Sequence, residues 1–208
     1  MEIIHLKYLS HVHLFALINL VTVLIGYSNL AVWLFPPLKQ CKGGFFYYFL
    51  ILAFMDPLVM TGYALFKMNM FYVYAPSSFI LFLSALYYTR SLSKQTLIYC
   101  LIIIFALLFL PASKSFLYIT VFLHFIIFLC FLVVFIRKFF LRNLFYLYFI
   151  ILIFYQFSIV VKLLLYIFGS RTGIFFLNFL NVLDVLVGFY FIIYNLQNSY
   201  KYHLKHYY

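Results

Sequence analysis

Seven apolar stretches, each near the length of a bilayer crossing, fill most of this chain, and no other feature restricts its fold so strongly. They run over about 13–34, 45–66, 71–89, 96–110, 115–136, 144–168 and 172–196. A helix needs ~20 apolar residues to cross a hydrocarbon core about 30 Å thick. In lipid each backbone N–H and C=O must bond within its own segment, so such stretches form helices. Only 8% of the residues are charged, against about 25% in soluble domains. A water-facing globule has nothing to build its surface from. The expected fold is all-α: a polytopic integral membrane protein of seven transmembrane helices, one domain over residues 1–208. A basic, aromatic tail follows at 197–208.

The breaks have local causes. Pro36 and Pro37 cannot continue a helix, and Gly43 and Gly44 follow in the same loop. Lys67–Asn69, Arg90–Lys94, Pro111–Lys114, Arg137–Lys138 and Gly169–Arg171 mark the other ends. The first stretch has one lysine before it, exceeds a usual signal core and lacks a small-residue cleavage site, so it is expected to be a retained helix.

Loop charge gives an orientation. Lys7, Lys67, Lys114 and Arg171 fall on one side. Lys39, Lys42, Arg90, Lys94, Arg137, Lys138, Arg142, Lys201 and Lys205 fall on the other. The second side is expected to be cytoplasmic, with the N-terminus outside and the C-terminus inside. The expected location is a plasma membrane, of the bacterial inner-membrane kind. No loop is long enough for a folded soluble domain, so any ligand binds within the bundle or at its mouths. Any soluble effector is a separate protein.

Other classes are disfavoured. The net charge of +11 is scattered singly between apolar runs rather than gathered on a face, so membrane lipid, not nucleic acid, is the expected partner. The three cysteines, Cys41, Cys100 and Cys130, contain no CxxC and suggest neither a disulfide framework nor a metal site. No nucleophile elbow, HExxH or glycine-rich phosphate loop occurs. No enzyme activity, cofactor or metal is expected.

The candidate site rests on rare polar residues at membrane depth, which are costly and usually face the bundle interior. Of the three acids, Glu2, Asp56 and Asp184, two lie inside apolar runs. Asp56, His124, Gln156 and Asp184 stand near the middle of four different spans. Asn178, Asn181 and Asp184 recur every three residues along one helix. The expectation is a midplane pocket of Asp56, Gln156, Asn181 and Asp184, with His124 and Asn178 at its margin. Pro57 beside Asp56 is the expected hinge, since proline removes a backbone donor and kinks a helix. Lys162 is expected to snorkel outward along its stem.

Residues 45–54, FFYYFLILAF, align with 145–154, FYLYFIILIF, at an offset of 100, which sets Asp56 over Gln156. Two three-helix units joined by the short fourth span would follow. That arrangement is similar to SWEET-type carriers, although spans five to seven here lack the prolines those carriers use. A seventh span without lysine does not fit retinal proteins. Two functions stay open: a sensor or ligand-binding module signalling to a cytoplasmic partner, and a small-solute or proton-coupled carrier. A structural membrane subunit is the third.

Overall fold

A computed structural model describes residues 19–41, 43–89, 114–142, 144–168 and 173–203. The described chain is almost wholly helical. Helix α1 covers 19–33 and ends before Pro36, which opens the short α2, Pro36–Gln40. Then come α3, Phe46–Phe66, and α4, Phe71–Thr89. Helix α5 is Lys114–Arg142, α6 is Leu147–Phe168 and α7 is Gly173–Ile193. Among the described residues five spans are long and apolar enough to cross a membrane: Asn19–Gln40, Phe46–Phe66, Phe116–Leu141, Leu147–Phe168 and Phe176–Ile193. The chain is an integral membrane protein on that ground. Helix α4 has the length but is diluted by serines, tyrosines and Pro76. The expected fourth span, 96–110, lies outside the described residues.

Two sequence expectations need correction. Arg137 and Lys138 do not end their helix, which continues to Arg142. Both residues are good helix formers, and Lys138 settles over aromatic rings, 4.4 Å from Phe149 and 5.0 Å from Tyr146. At 29 residues, α5 is about 44 Å long and overshoots the hydrocarbon. The sixth span begins late, because Leu144–Tyr146 is a short strand, β1. The basic tail contains a strand. Its residues Lys201–His203 form β2, antiparallel to β1 with Phe145 opposite Tyr202.

The helix ends are built from local chemistry. Lys67 adopts a left-handed conformation (φ 53°) and closes α3. Its N–H bonds Tyr63 O, while the Met68 N–H reaches Gly62 O, which satisfies carbonyls that a helix end leaves open. At the other end of the bundle Gln40 acts as a cap in trans. Its Nε2 donates to Tyr194 O at 3.0 Å and to Phe191 O at 3.4 Å, and its Oε1 accepts from Tyr148 Oη at 3.2 Å.

Helices α4 and α5 run parallel. Tyr72 meets Phe116, Ser78 meets His124, and Tyr88 meets Lys138, always in rising order. The bundle thus has two unlike ends. Around the start of α3 and α6 and the end of α7 lies a dry aromatic core with Trp33, Phe45, Phe49, Phe131, Phe149 and Phe191 at its centre. Phe45 stacks on Tyr88 with centroids 3.9 Å apart, and Trp33 stacks on Tyr155 at 4.3 Å. This is the closed end. The end where α3 and α6 finish and α4 and α5 begin is hollow.

Candidate functional site: a polar cavity above an aromatic floor

The hollow is a cavity of about 320 Å³. Its walls include Asp56 of α3, Tyr74 of α4, His124 of α5, Lys162 of α6, and Asn181 and Asp184 of α7. A second hollow of about 400 Å³ shares Asn29, Asp56, Tyr74 and Asn181 with it and reaches α1 at Gly26 and Leu30. The two hollows meet along these four polar residues. Asp56, His124 and Asp184 each stand ten or eleven residues from the open end of their helix, or about 15 Å at the helical rise. They stand at mid-depth on the cavity wall, and Met70, Leu117 and Tyr166 stand nearer the open end.

Each titratable group has a defined partner. Tyr74 Oη donates to Asp56 Oδ1 at 3.0 Å. Asp184 accepts from Ser158 Oγ at 2.9 Å on one oxygen and forms an ion pair with Lys162 on the other. This overturns the expectation that Lys162 snorkels outward. Burial of Asp184 decides the matter: a carboxylate removed from water needs a paired charge and filled lone pairs. Ser158 and Lys162 are four residues apart, hence on one helix face, and both reach the same carboxylate.

His124 belongs to a buried chain of hydrogen bonds. Its Nδ1 lies 3.0 Å from Gln156 Oε1, and its Nε2 lies 3.2 Å from Ser78 Oγ. Gln156 turns its amide N–H₂ to Tyr48 Oη, so its carbonyl oxygen faces the imidazole. That makes Nδ1 the donor and leaves Nε2 to accept from Ser78. One neutral tautomer satisfies every group, across four helices with no exposed atom to spare: Ser78 and Gln156 are 0% exposed, His124 and Tyr48 1%. The chain runs just beneath the cavity, into the aromatic core.

Of the expected pocket residues, Asp56, Asn181, Asp184 and His124 come together on the cavity wall. Gln156 does not reach it, being held beneath His124. Asn178 points elsewhere and donates to Thr22 Oγ1 of α1 at 2.8 Å. The helical pitch gives the reason: two steps of three residues turn the side chain by about 120°, so Asn178 and Asp184 cannot share one wall. Pro57 lies inside α3 beside Asp56, and Pro76 lies inside α4 two residues after Tyr74.

Sequence reasoning did not single out Tyr74, Asn29 or Tyr155. With 21 tyrosines in the chain, none stands out, although Tyr74 sits two residues before a helix proline, Pro76, as Asp56 sits one before Pro57. Tyr155 both lines the cavity and stacks on Trp33, so it joins the hollow end to the closed one. Among the described residues no cluster of three potential metal ligands occurs. Comparison of this chain with protein-family models, with curated proteins and with solved structures returns no match.

Proposed function

We propose that the protein is a seven-helix membrane sensor that binds a small ligand in the cavity above the aromatic floor. It then passes a conformational signal to a separate cytoplasmic partner. The single observation behind this reading is the union of a hollow polar half and a packed aromatic half in one bundle. A ligand entering from the open end meets Asp56, Tyr74 and the Lys162–Asp184 pair. It meets Tyr155 at the floor, whose ring rests on Trp33. Displacement of Tyr155 would be felt by α1 and α7 at the closed end.

The seven-span count has a topological support. Because α4 and α5 run parallel, Thr89 and Lys114 stand at opposite ends of the described bundle. The loop-charge asymmetry then sets the closed end in the cytoplasm of a bacterial inner membrane, with the open end outside.

A carrier is the second reading, favoured by Pro57 and Pro76 in the two helices that present Asp56 and Tyr74 to the cavity. Broken helices at a mid-membrane site are common in carriers.

Thermal unfolding of purified protein against ions, sugars, lipids and pH, for wild type, Asp56→Asn and Asp184→Asn, tests the site. A shift seen in wild type and lost in a variant is the expected result. Equal responses in all three would reduce the two acids to structural groups. Solute flux into sealed vesicles that depends on Asp56 would replace the sensor with the carrier.

A further inference from the structure

We infer that the cavity selects a small organic ammonium ion: a primary amine head bound at Asp56, with an apolar body lying toward the mouth. The inference rests on the reading of the cavity as a ligand site. Its basis is a corner of the cavity that holds acceptors without matching donors.

Three groups define that corner. Asp56 takes one hydrogen bond, from Tyr74, among the described residues. A carboxylate accepts about four, so acceptor capacity is left facing the hollow. Asn29 lines the same two hollows, and its Oδ1 is buried without a hydrogen-bond partner among the described residues. A buried unsatisfied acceptor costs free energy until a donor arrives. Tyr74 has committed its only hydrogen to Asp56, so its oxygen is also left as an acceptor. An ammonium head carries three N–H donors and one positive charge, and meets all three groups.

Charge points the same way. Lys162 is engaged by Asp184, which has a second bond from Ser158. That pair is neutral and satisfied. Asp56 is then the carboxylate in the cavity with no cation bound to it among the described residues. Lys162 stands on the same cavity wall and acts on Asp56 through space, but its bonded partner is Asp184. An anionic ligand would still meet the Asp56 carboxylate, and a sugar would bring it no balancing charge. A calcium ion wants six to eight oxygens, more than the protein groups of this corner supply. Beyond the head, Met55, Leu117, Ile159, Leu163 and Leu177 offer an apolar wall. The rings of Tyr155 and Tyr166 line the same cavity.

Cysteine modification kinetics test this without knowing the natural ligand. Leu163→Cys and Leu177→Cys would be made in a chain whose native cysteines are replaced by serine. A chain keeping only Cys41, which is exposed, serves as reference. Three methanethiosulfonates are compared: aminoethyl (cation), methyl (neutral) and sulfonatoethyl (anion). The expected cation-to-anion rate ratio in the cavity is about tenfold above that at Cys41, a size that one carboxylate charge at short range supplies. Adding Asp56→Asn should return it to the Cys41 value while the methyl reagent's rate holds, which also shows that the variant is folded and open.

Equal rates for the charged reagents, or a faster anion, would overturn the ammonium assignment and leave the cavity reading standing. A cation preference that survives Asp56→Asn would overturn the role of Asp56. Failure of all three reagents at both cavity positions, with Cys41 reacting normally, would overturn the cavity reading itself.

Discussion

Lys162 shows how one side chain's environment decides its role. Alone on a membrane helix it would reach for the headgroups. Here Asp184 is 4% exposed, and its charge is tolerable only with the ammonium against it. Lys162→Met should therefore destabilise the protein by on the order of 3–5 kcal/mol, because it strands a buried carboxylate. The double variant Lys162→Met with Asp184→Leu should recover most of that loss. Chemical unfolding in detergent measures both, and equal stability of the single and double variants would contradict the pairing. The acids stood out in the sequence as candidates because so few exist. Their partners did not: choosing among 21 tyrosines, or between outward and inward lysine, depends on which helices are neighbours.

At the scale of elements, close approach of α1 to α7 holds the floor in place. A Cβ added at Gly188 would stand 2.5 Å from Val32 Cγ1 and 3.5 Å from the Trp33 ring. Gly188→Ala should therefore push the end of α1 away and cost about 1–3 kcal/mol by overpacking, visible as a lower unfolding midpoint and a change in Trp33 emission. Gln40→Ala, which removes the bonds to Phe191 O and Tyr194 O, should cost about 1 kcal/mol. Helix starts and stops at Pro36 and at Lys67–Asn69 could be read from residues alone, since proline and loop polarity act locally. The run-on of α5 through Arg137 and Lys138 could not. It depends on aromatic rings supplied by β1 and α6. Strand β2 depends likewise on a partner, β1, more than fifty residues away in sequence. The aligned segments do behave alike: Tyr48, Phe49 and Leu52 are buried, as are Tyr148, Phe149 and Leu152, while Phe54 and Phe154 both face outward.

For the whole molecule, two properties follow from how the helices are ordered. The first is orientation. A reporter fused after Tyr208 should be active only in the cytoplasm, and a tag inserted between Lys67 and Met70 should be reachable only from outside. The reverse pattern in intact cells would contradict the charge-based topology. The second is the division of the bundle into a hollow end and a closed one. Hydropathy could indicate membrane helices and polar residues near mid-depth. It could not reveal that the cavity lies toward one end of the described bundle, because that depends on where the aromatic residues meet.

Trp33 is the only tryptophan in the chain, and it lies directly beneath the cavity, stacked on Tyr155. Quenching of its fluorescence by acrylamide, in wild type and in Tyr155→Ala, tests the division most directly. The structure predicts a blue-shifted, protected Trp33 in wild type and a clear gain in quenching when the Tyr155 ring is removed and the cavity reaches the indole. A Trp33 as quenchable in wild type as free tryptophan, or one indifferent to the loss of Tyr155, would contradict the account.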